Sequence, residues 1–113
     1  MTTDDKIYAG AKGVKVLLYT EQDLSLSTKT EILVKKPNGT EVTWTATIAT
    51  EREDETTHET ITLTPEDGYI QYITDEDDLE SAGDYLLQAK IEWGQYSSHP
   101  GKTVIMEVYP KFK

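Results

Sequence analysis

The chain has 113 residues and a formal net charge of −10. This length predicts a single domain, residues 1–113, that can bury a core without a metal or a disulfide. Cysteine is absent, which excludes disulfides, thiolate metal sites and cysteine nucleophiles. No apolar run approaches the roughly 20 residues that cross a bilayer, and phosphate is repelled by this charge. Neither a membrane nor nucleic acid is therefore expected as a partner.

Threonine is the commonest residue, and short alternating runs separated by turn signals predict strands throughout. Pro37-Asn38-Gly39 is a strong hairpin signal between two of these runs. The run at 41–49 alternates most clearly and predicts one continuous strand. Residues 60–64 are expected to pair back on it, with 50–58 as an acidic tip. The predicted strands are 6–9, 14–19, 30–36, 41–49, 60–64, 69–73, 84–93 and 103–109.

The segments between these strands are predicted to be loops and turns. Residues 21–28 form a polar loop that Leu24 and Leu26 hold against the core. Residues 75–81 form a crossover of about one helical turn, with Thr74 as its cap. Seven or eight strands without a long helix predict an antiparallel immunoglobulin-like β-sandwich.

One local motif supports this fold. The stretch from Leu79 to Leu87 contains Ala-Gly-Asp-Tyr, the form that opens the penultimate strand of immunoglobulin-like domains. In such domains a tyrosine hydroxyl bonds back to the backbone at the corner between the sheets. Tyr85 is the candidate for this tyrosine corner, and the alternative is a plain turn followed by a strand with a core tyrosine.

The negative charge is concentrated in one region. Residues 51–80 contain twelve acidic residues and one base, Arg52, whereas the remaining chain carries a charge of +1. Such a region either faces a basic partner or forms a solvated surface.

No arrangement of residues indicates catalysis or a cofactor. His58 and His99 fall in loops, and neither accompanies a nucleophile motif. The acidic runs 51–55 and 75–78 contain calcium-ligand chemistry but lack the spacing of a calcium loop. Trp44 and Trp93 are in register with apolar positions, which favours core or interface packing over a carbohydrate platform. The expectation is a protein with no enzymatic activity, no metal and no cofactor.

Motifs spread along the chain resemble a family of small immunoglobulin-like domains of tailed bacteriophages. The carrying stretches are Asp5-Lys6-Ile7-Tyr8, residues 33–40 with Trp44, residues 69–74, and residues 78–89. The N-terminal domain of phage baseplate upper proteins is similar. The resemblance implies a structural protein of the virion, assembled in the bacterial host cytoplasm, most often in the tail or baseplate.

This interpretation predicts a docking module present in many copies in a symmetric assembly, with other virion proteins as partners. Exposed strand edges and end loops are expected to make the contacts. The candidate contact residues are Ile7, Tyr8, Tyr96, Tyr109 and Phe112.

Three alternatives stay open. The first is a capsid decoration protein. The second is a lectin-like domain that binds host-surface glycans through the loop at 94–99, whose Tyr, Ser and Gly residues suit adaptable recognition. The third, suggested only by the acidity, is an enzyme inhibitor or a DNA mimic.

Overall fold

The computed structural model describes residues 6–97 and 101–111. Nearly all of its regular structure is β-strand in mostly antiparallel sheets, which curl into a half-barrel and confirm the all-β prediction. Helix in these residues is limited to one 3-10 turn, Pro65–Asp67. The strands are β1 (Ile7–Tyr8), β2 (Lys15–Tyr19), β3 (Lys29–Lys35), β4 (Glu41–Thr45), β5 (Thr47–Ile48), β6 (Glu51–Glu53), β7 (Thr60–Thr62), β8 (Tyr69–Ile73), β9 (Gly83–Trp93), β10 (Tyr96–Ser97) and β11 (Val104–Tyr109).

Two sheets enclose the core. The large sheet has the order β1-β11-β9-β3-β4, with β10 added to β9, and the small sheet has the order β2-β8-β5. Because side chains alternate along each strand, one face of each sheet supplies the core and the other meets solvent. Trp44 of the large sheet stacks on Tyr72 of the small one, with ring centroids 4.6 Å apart. The buried core residues are Val16, Leu18, Leu24, Ile32, Val34, Trp44, Ala46, Ile70, Leu79, Tyr85, Leu87, Ala89, Ile91 and Val108.

The predicted turn at Pro37-Asn38-Gly39 joins β3 to β4. Lys35 pairs with Glu41, and the Lys36 N–H donates to the Thr40 carbonyl at 2.8 Å. Gly39 has φ +90°, which a residue with a side chain adopts at a cost. The residue types therefore fixed this hairpin as predicted.

The prediction of one strand over 41–49 is wrong, because the chain changes sheets at Ala46. β4 pairs with β3 in the large sheet, whereas β5 pairs with β8 in the small sheet. The crossing is held by Thr30, whose hydroxyl donates to the Ala46 carbonyl at 2.7 Å and whose carbonyl accepts from the Ala46 N–H at 3.0 Å. The alternation of apolar and polar residues continues through the crossing because β4 and β5, on either side of it, turn their apolar side chains toward the same core.

The prediction that 60–64 pairs with 41–49 is also wrong. β7 pairs with β6, so Arg52 lies opposite Ile61 in a separate two-stranded hairpin. The irregular tip of this acidic hairpin is limited to 54–59, where the Asp54 carboxylate accepts from the N–H groups of Thr56 and Thr57.

The two leucines of the 21–28 loop have opposite environments. Leu24 is fully buried and its N–H donates to the Pro65 carbonyl at 2.9 Å. Leu26 is 83% exposed, so the expectation that it anchors the loop is wrong. Loop residues have no pleat that carries every second side chain to one face, so alternation there has no structural meaning.

The crossover after β8 is a turn without a helix, and Thr74 does not cap it. The Thr74 hydroxyl instead accepts from the Val14 N–H at 3.0 Å. The Asp78 carboxylate closes the turn instead, since it accepts from the Asp75 N–H and from the Tyr72 hydroxyl, both at 2.6 Å.

The tyrosine corner is present. The buried Tyr85 donates its hydroxyl hydrogen to the Ser81 carbonyl at 2.8 Å and accepts from the Ser81 N–H at 3.3 Å. Burial raises the pKa of this phenol above its ordinary value. Tyr85, Leu87, Ala89 and Ile91 point into the core from β9, as the alternation predicts.

Candidate interaction surfaces

Three of the candidate contact residues meet at one edge of the large sheet. β1 and β11 are parallel, with Ile7 beside Val108 and Tyr8 beside Tyr109. The Tyr8 and Tyr109 rings are 6.1 Å apart, and the Lys6 ammonium lies 5.2 Å from the Tyr109 ring. Ile7 is half-buried against the core, whereas Tyr8 is exposed. The tyrosine pair therefore forms the accessible part of this edge.

The other two candidates do not join this group. Tyr96 lies in the β9–β10 hairpin opposite Trp93 and is 71% exposed. Phe112 falls outside the described residues, as does His99.

The solvent-facing side of the large sheet, called here the outer face, carries an apolar patch. The patch is formed by three residues on adjacent strands, Leu33, Leu86 and Ile105. Leu86 lies directly opposite Ile105, and it is two residues along β9 from Gln88, the partner of Leu33. Ile105 is 63% exposed, and a shallow groove of about 270 Å³ runs beside Leu33 and Leu86. A solvated sheet face is normally polar, so this patch is available to a partner.

This patch was not predicted from the sequence. The signal was present in β11, because the apolar Ile105 falls on the solvent-facing side of this strand together with Glu107. Val104, Met106 and Val108 share one face, which leaves Ile105 on the other. A large apolar residue on a solvent-facing side marks a surface that a partner can cover.

The acidic hairpin β6–β7 is attached to the opposite, small sheet. The Lys15 ammonium donates to the Glu51 carbonyl at 3.1 Å, and the Arg52 guanidinium lies 5.5 Å from the Tyr69 ring. Hydrogen bonds from Thr57 and Thr56 lower the pKa of Asp54 below its usual range, so the hairpin tip stays charged. The negative charge of this hairpin therefore adjoins the small sheet.

The outer face of the large sheet carries both signs of charge. Lys35 lies opposite Glu41 and Lys29 opposite Glu92, and the fields of these pairs of opposite sign partly cancel at a distance. Asp84 opposite Glu107 is a pair of like charge on the same face. This face can approach a negatively charged or neutral protein with less repulsion than the acidic hairpin can.

The remaining sequence hypotheses concern metal and catalysis. Among residues 6–97 and 101–111, no group of three or more His, Asp or Glu side chains is placed to hold a metal ion. His58 is exposed, and its Nδ1 lies 2.7 Å from a Glu53 carboxylate oxygen.

Trp44 is buried and Trp93 packs against the core, in agreement with the core interpretation of both. No helix in the described part of the chain is long and apolar enough to cross a membrane.

Comparison with known proteins finds no matching family model, no matching curated protein and no matching solved structure.

Proposed function

We propose that this chain is a non-enzymatic assembly module of a tailed-bacteriophage particle, located in the tail or baseplate and present in many copies. The motif resemblance supports the phage assignment. The strand order supports an immunoglobulin-like sandwich: β2-β8-β5 corresponds to strands B, E and D, and β11-β9-β3-β4 to strands G, F, C and C′. The Tyr85 corner bond is a further feature of that fold.

The observation that carries the docking role is the apolar patch of Leu33, Leu86 and Ile105. Removing such side chains from water contributes about 25 cal/mol per Å² to association. Tyr8 and Tyr109 continue the same face toward β1 and supply amphipathic rings, which are common at interfaces. The mechanism is adhesion: a neighbouring virion protein covers the outer face while the acidic hairpin stays on the other sheet.

The test substitutes one exposed isoleucine on each sheet. Ile105→Glu places a charge in the apolar patch, whereas Ile73→Glu places it on the solvent face of the small sheet, where Ile73 is 49% exposed. Both variants should fold, as circular dichroism of the isolated domain would show. When the variants are supplied to a phage that lacks the native gene, Ile105→Glu should reduce the amount of this protein in purified particles at least about tenfold, because a desolvated charge opposes docking. Ile73→Glu should assemble normally. Equal incorporation of both variants would contradict the proposal.

Capsid decoration is distinguished by position. Gold labelling of an affinity tag on the chain would mark the head in that case and the tail or baseplate in the proposed one.

The exposed Tyr96 favours a second candidate function, glycan binding at the host surface. Aromatic rings stack on sugar faces, and Tyr96 is the most exposed aromatic among the large apolar residues described. Binding of the isolated domain to purified host envelope glycans, lost in Tyr96→Ala and kept in Ile105→Glu, would support this function over assembly.

A further inference from the structure

The β2 strand has a free edge. Backbone hydrogen bonds join Val14 to Thr74 and Thr20 to Gly68, immediately beyond the two ends of the β2–β8 pairing. Since hydrogen-bonded pairs alternate in an antiparallel ladder, Val16 and Leu18 also point their backbone groups toward β8. The N–H and C=O groups of Lys15, Leu17 and Tyr19 point the other way. In the described part of the chain no strand pairs with that side of β2.

A groove runs along this free edge. It lies between the small sheet and the start of β11 and has a volume of about 440 Å³. Leu17 and Tyr19 line one wall, and Ala89 and Val104 line the other. Tyr19 is 57% exposed and Val104 is 42% exposed, so apolar surface borders the unpaired backbone on both sides.

We propose that this groove binds an extended segment of a second protein as an additional strand on β2. Main-chain bonds to Lys15, Leu17 and Tyr19 would supply affinity. Every second side chain of the incoming strand would enter the groove between Leu18 and Val104, which supplies specificity. The added strand would become a fourth strand of the small sheet and cover the groove.

The groove lining carries one acid, Glu21, and one base, Lys102, so the charge of the whole chain, −10, decides the sign of the occupant. The acidic hairpin adjoins β2, since the Lys15 ammonium donates to the Glu51 backbone carbonyl. The occupant is therefore a segment with net positive charge, and its alternating side chains are apolar because the groove walls are largely apolar. A second copy of the chain brings another −10 to the same place, which opposes self-pairing of two β2 strands. A basic strand gains attraction from the same charges.

This inference rests on the proposed docking function but uses a different surface, so the two can fail separately. The probe is a synthetic nine-residue peptide of alternating Val and Thr with Lys at both ends, compared with the same peptide ended by Glu. Amide hydrogen exchange of the isolated domain is followed by NMR. Without peptide, the amides of Lys15, Leu17 and Tyr19 should exchange rapidly and those of Val16 and Leu18 slowly. The Lys-ended peptide at millimolar concentration should slow exchange of the first three by about tenfold. The Glu-ended peptide should not.

Two matched variants block free edges with proline, which removes a backbone donor. Leu17→Pro should abolish the protection, and Leu17→Ala, which keeps the N–H group, should retain most of it. Thr43→Pro blocks the free edge of β4 instead and should leave the protection unchanged. Three outcomes would overturn the inference: no protection of β2, protection moving to Thr43 and Thr45, or a dimer formed through β2 without peptide in analytical ultracentrifugation. None of these outcomes affects the Ile105 test.

Discussion

The hydroxyl of Tyr85 provides a direct test of how the corner before β9 is stabilised. Tyr85→Phe removes one oxygen and keeps the ring, so the buried packing is unchanged. The lost bonds are the 2.8 Å donation to the Ser81 carbonyl and the longer 3.3 Å acceptance from the Ser81 N–H. A typical hydrogen bond contributes about 0.5–1.5 kcal/mol net, and a buried group left unpaired costs about 1–3 kcal/mol. Ser81 is only partly buried, so water can replace part of the loss.

We therefore expect Tyr85→Phe to lower the free energy of unfolding by about 1–2 kcal/mol. Urea denaturation followed by tryptophan fluorescence measures this, and the slope with urea should stay constant. A thermal scan should show a Tm lower by about 4–8 °C for each kcal/mol, the range for domains slightly smaller than this one. Tyr96→Phe is the control, because Tyr96 is largely exposed. If both variants change stability by less than about 0.5 kcal/mol, the corner bond does not stabilise the fold.

The same pair of proteins tests a pH dependence. Burial raises the pKa of Tyr85 above the ordinary value of 10.0. A phenol whose pKa is raised by folding contributes stability that is complete below pH 10.0 and is lost as the pH rises toward the folded pKa. The native protein should therefore lose stability above about pH 10, and Tyr85→Phe should lose less over the same range. Parallel curves for the two proteins would contradict the assigned burial effect.

Three other substitutions test packing, the acidic hairpin and one turn. Leu87→Ala should cost about 2–5 kcal/mol in urea denaturation, because the side chain is buried in the central strand. Replacing 54–59 by Asn-Gly should leave the amide dispersion of the domain unchanged, because this exposed tip joins two paired strands; collapse of the dispersion would show that the tip is needed for folding. Gly68→Ala should lower the free energy of unfolding by roughly 1–3 kcal/mol, since the φ of Gly68 is +81° and the new Cβ would lie 2.5 Å from the Gln22 carbonyl oxygen. A decrease in Tm no larger than that of a surface substitution would contradict the expected strain at Gly68.

Local signals were sufficient where the local chain decides the structure. The turn at Pro37-Asn38-Gly39, the strand Tyr69–Ile73 and the Tyr85 corner were predicted from residue types and spacing alone. Each depends on interactions within a few residues, or on a side-chain period that the whole strand shares. The candidate contact residues came from the first strand, the C-terminal segment and the loop at 94–99, and the structure groups only those on β1 and β11.

The sheet crossing and the free edges could not be predicted in this way. A change of sheet at Ala46 keeps the period of two, so the sequence pattern on both sides is the same as in one long strand. Edge position is a property of the whole topology: β2 and β8 have similar apolar alternation, yet only β8 has a neighbour on each side. The outer-face patch was easier to predict, since Ile105 is a large apolar residue on the solvent-facing side of β11.

The parallel pairing of β1 with β11 determines how the domain would bear tension. β1 lies at the start of the described chain and β11 at its end, and the two run in the same direction with Tyr8 beside Tyr109. A pull outward on both ends would slide these strands past each other along their length. The bonds between them, including the Ala9 N–H to the Tyr109 carbonyl at 2.8 Å, would then share the load and break together, whereas a hairpin pulled from its open end unzips one bond at a time. A chain linked at both ends to neighbours under strain would thus resist extension at this strand pair before its core is exposed.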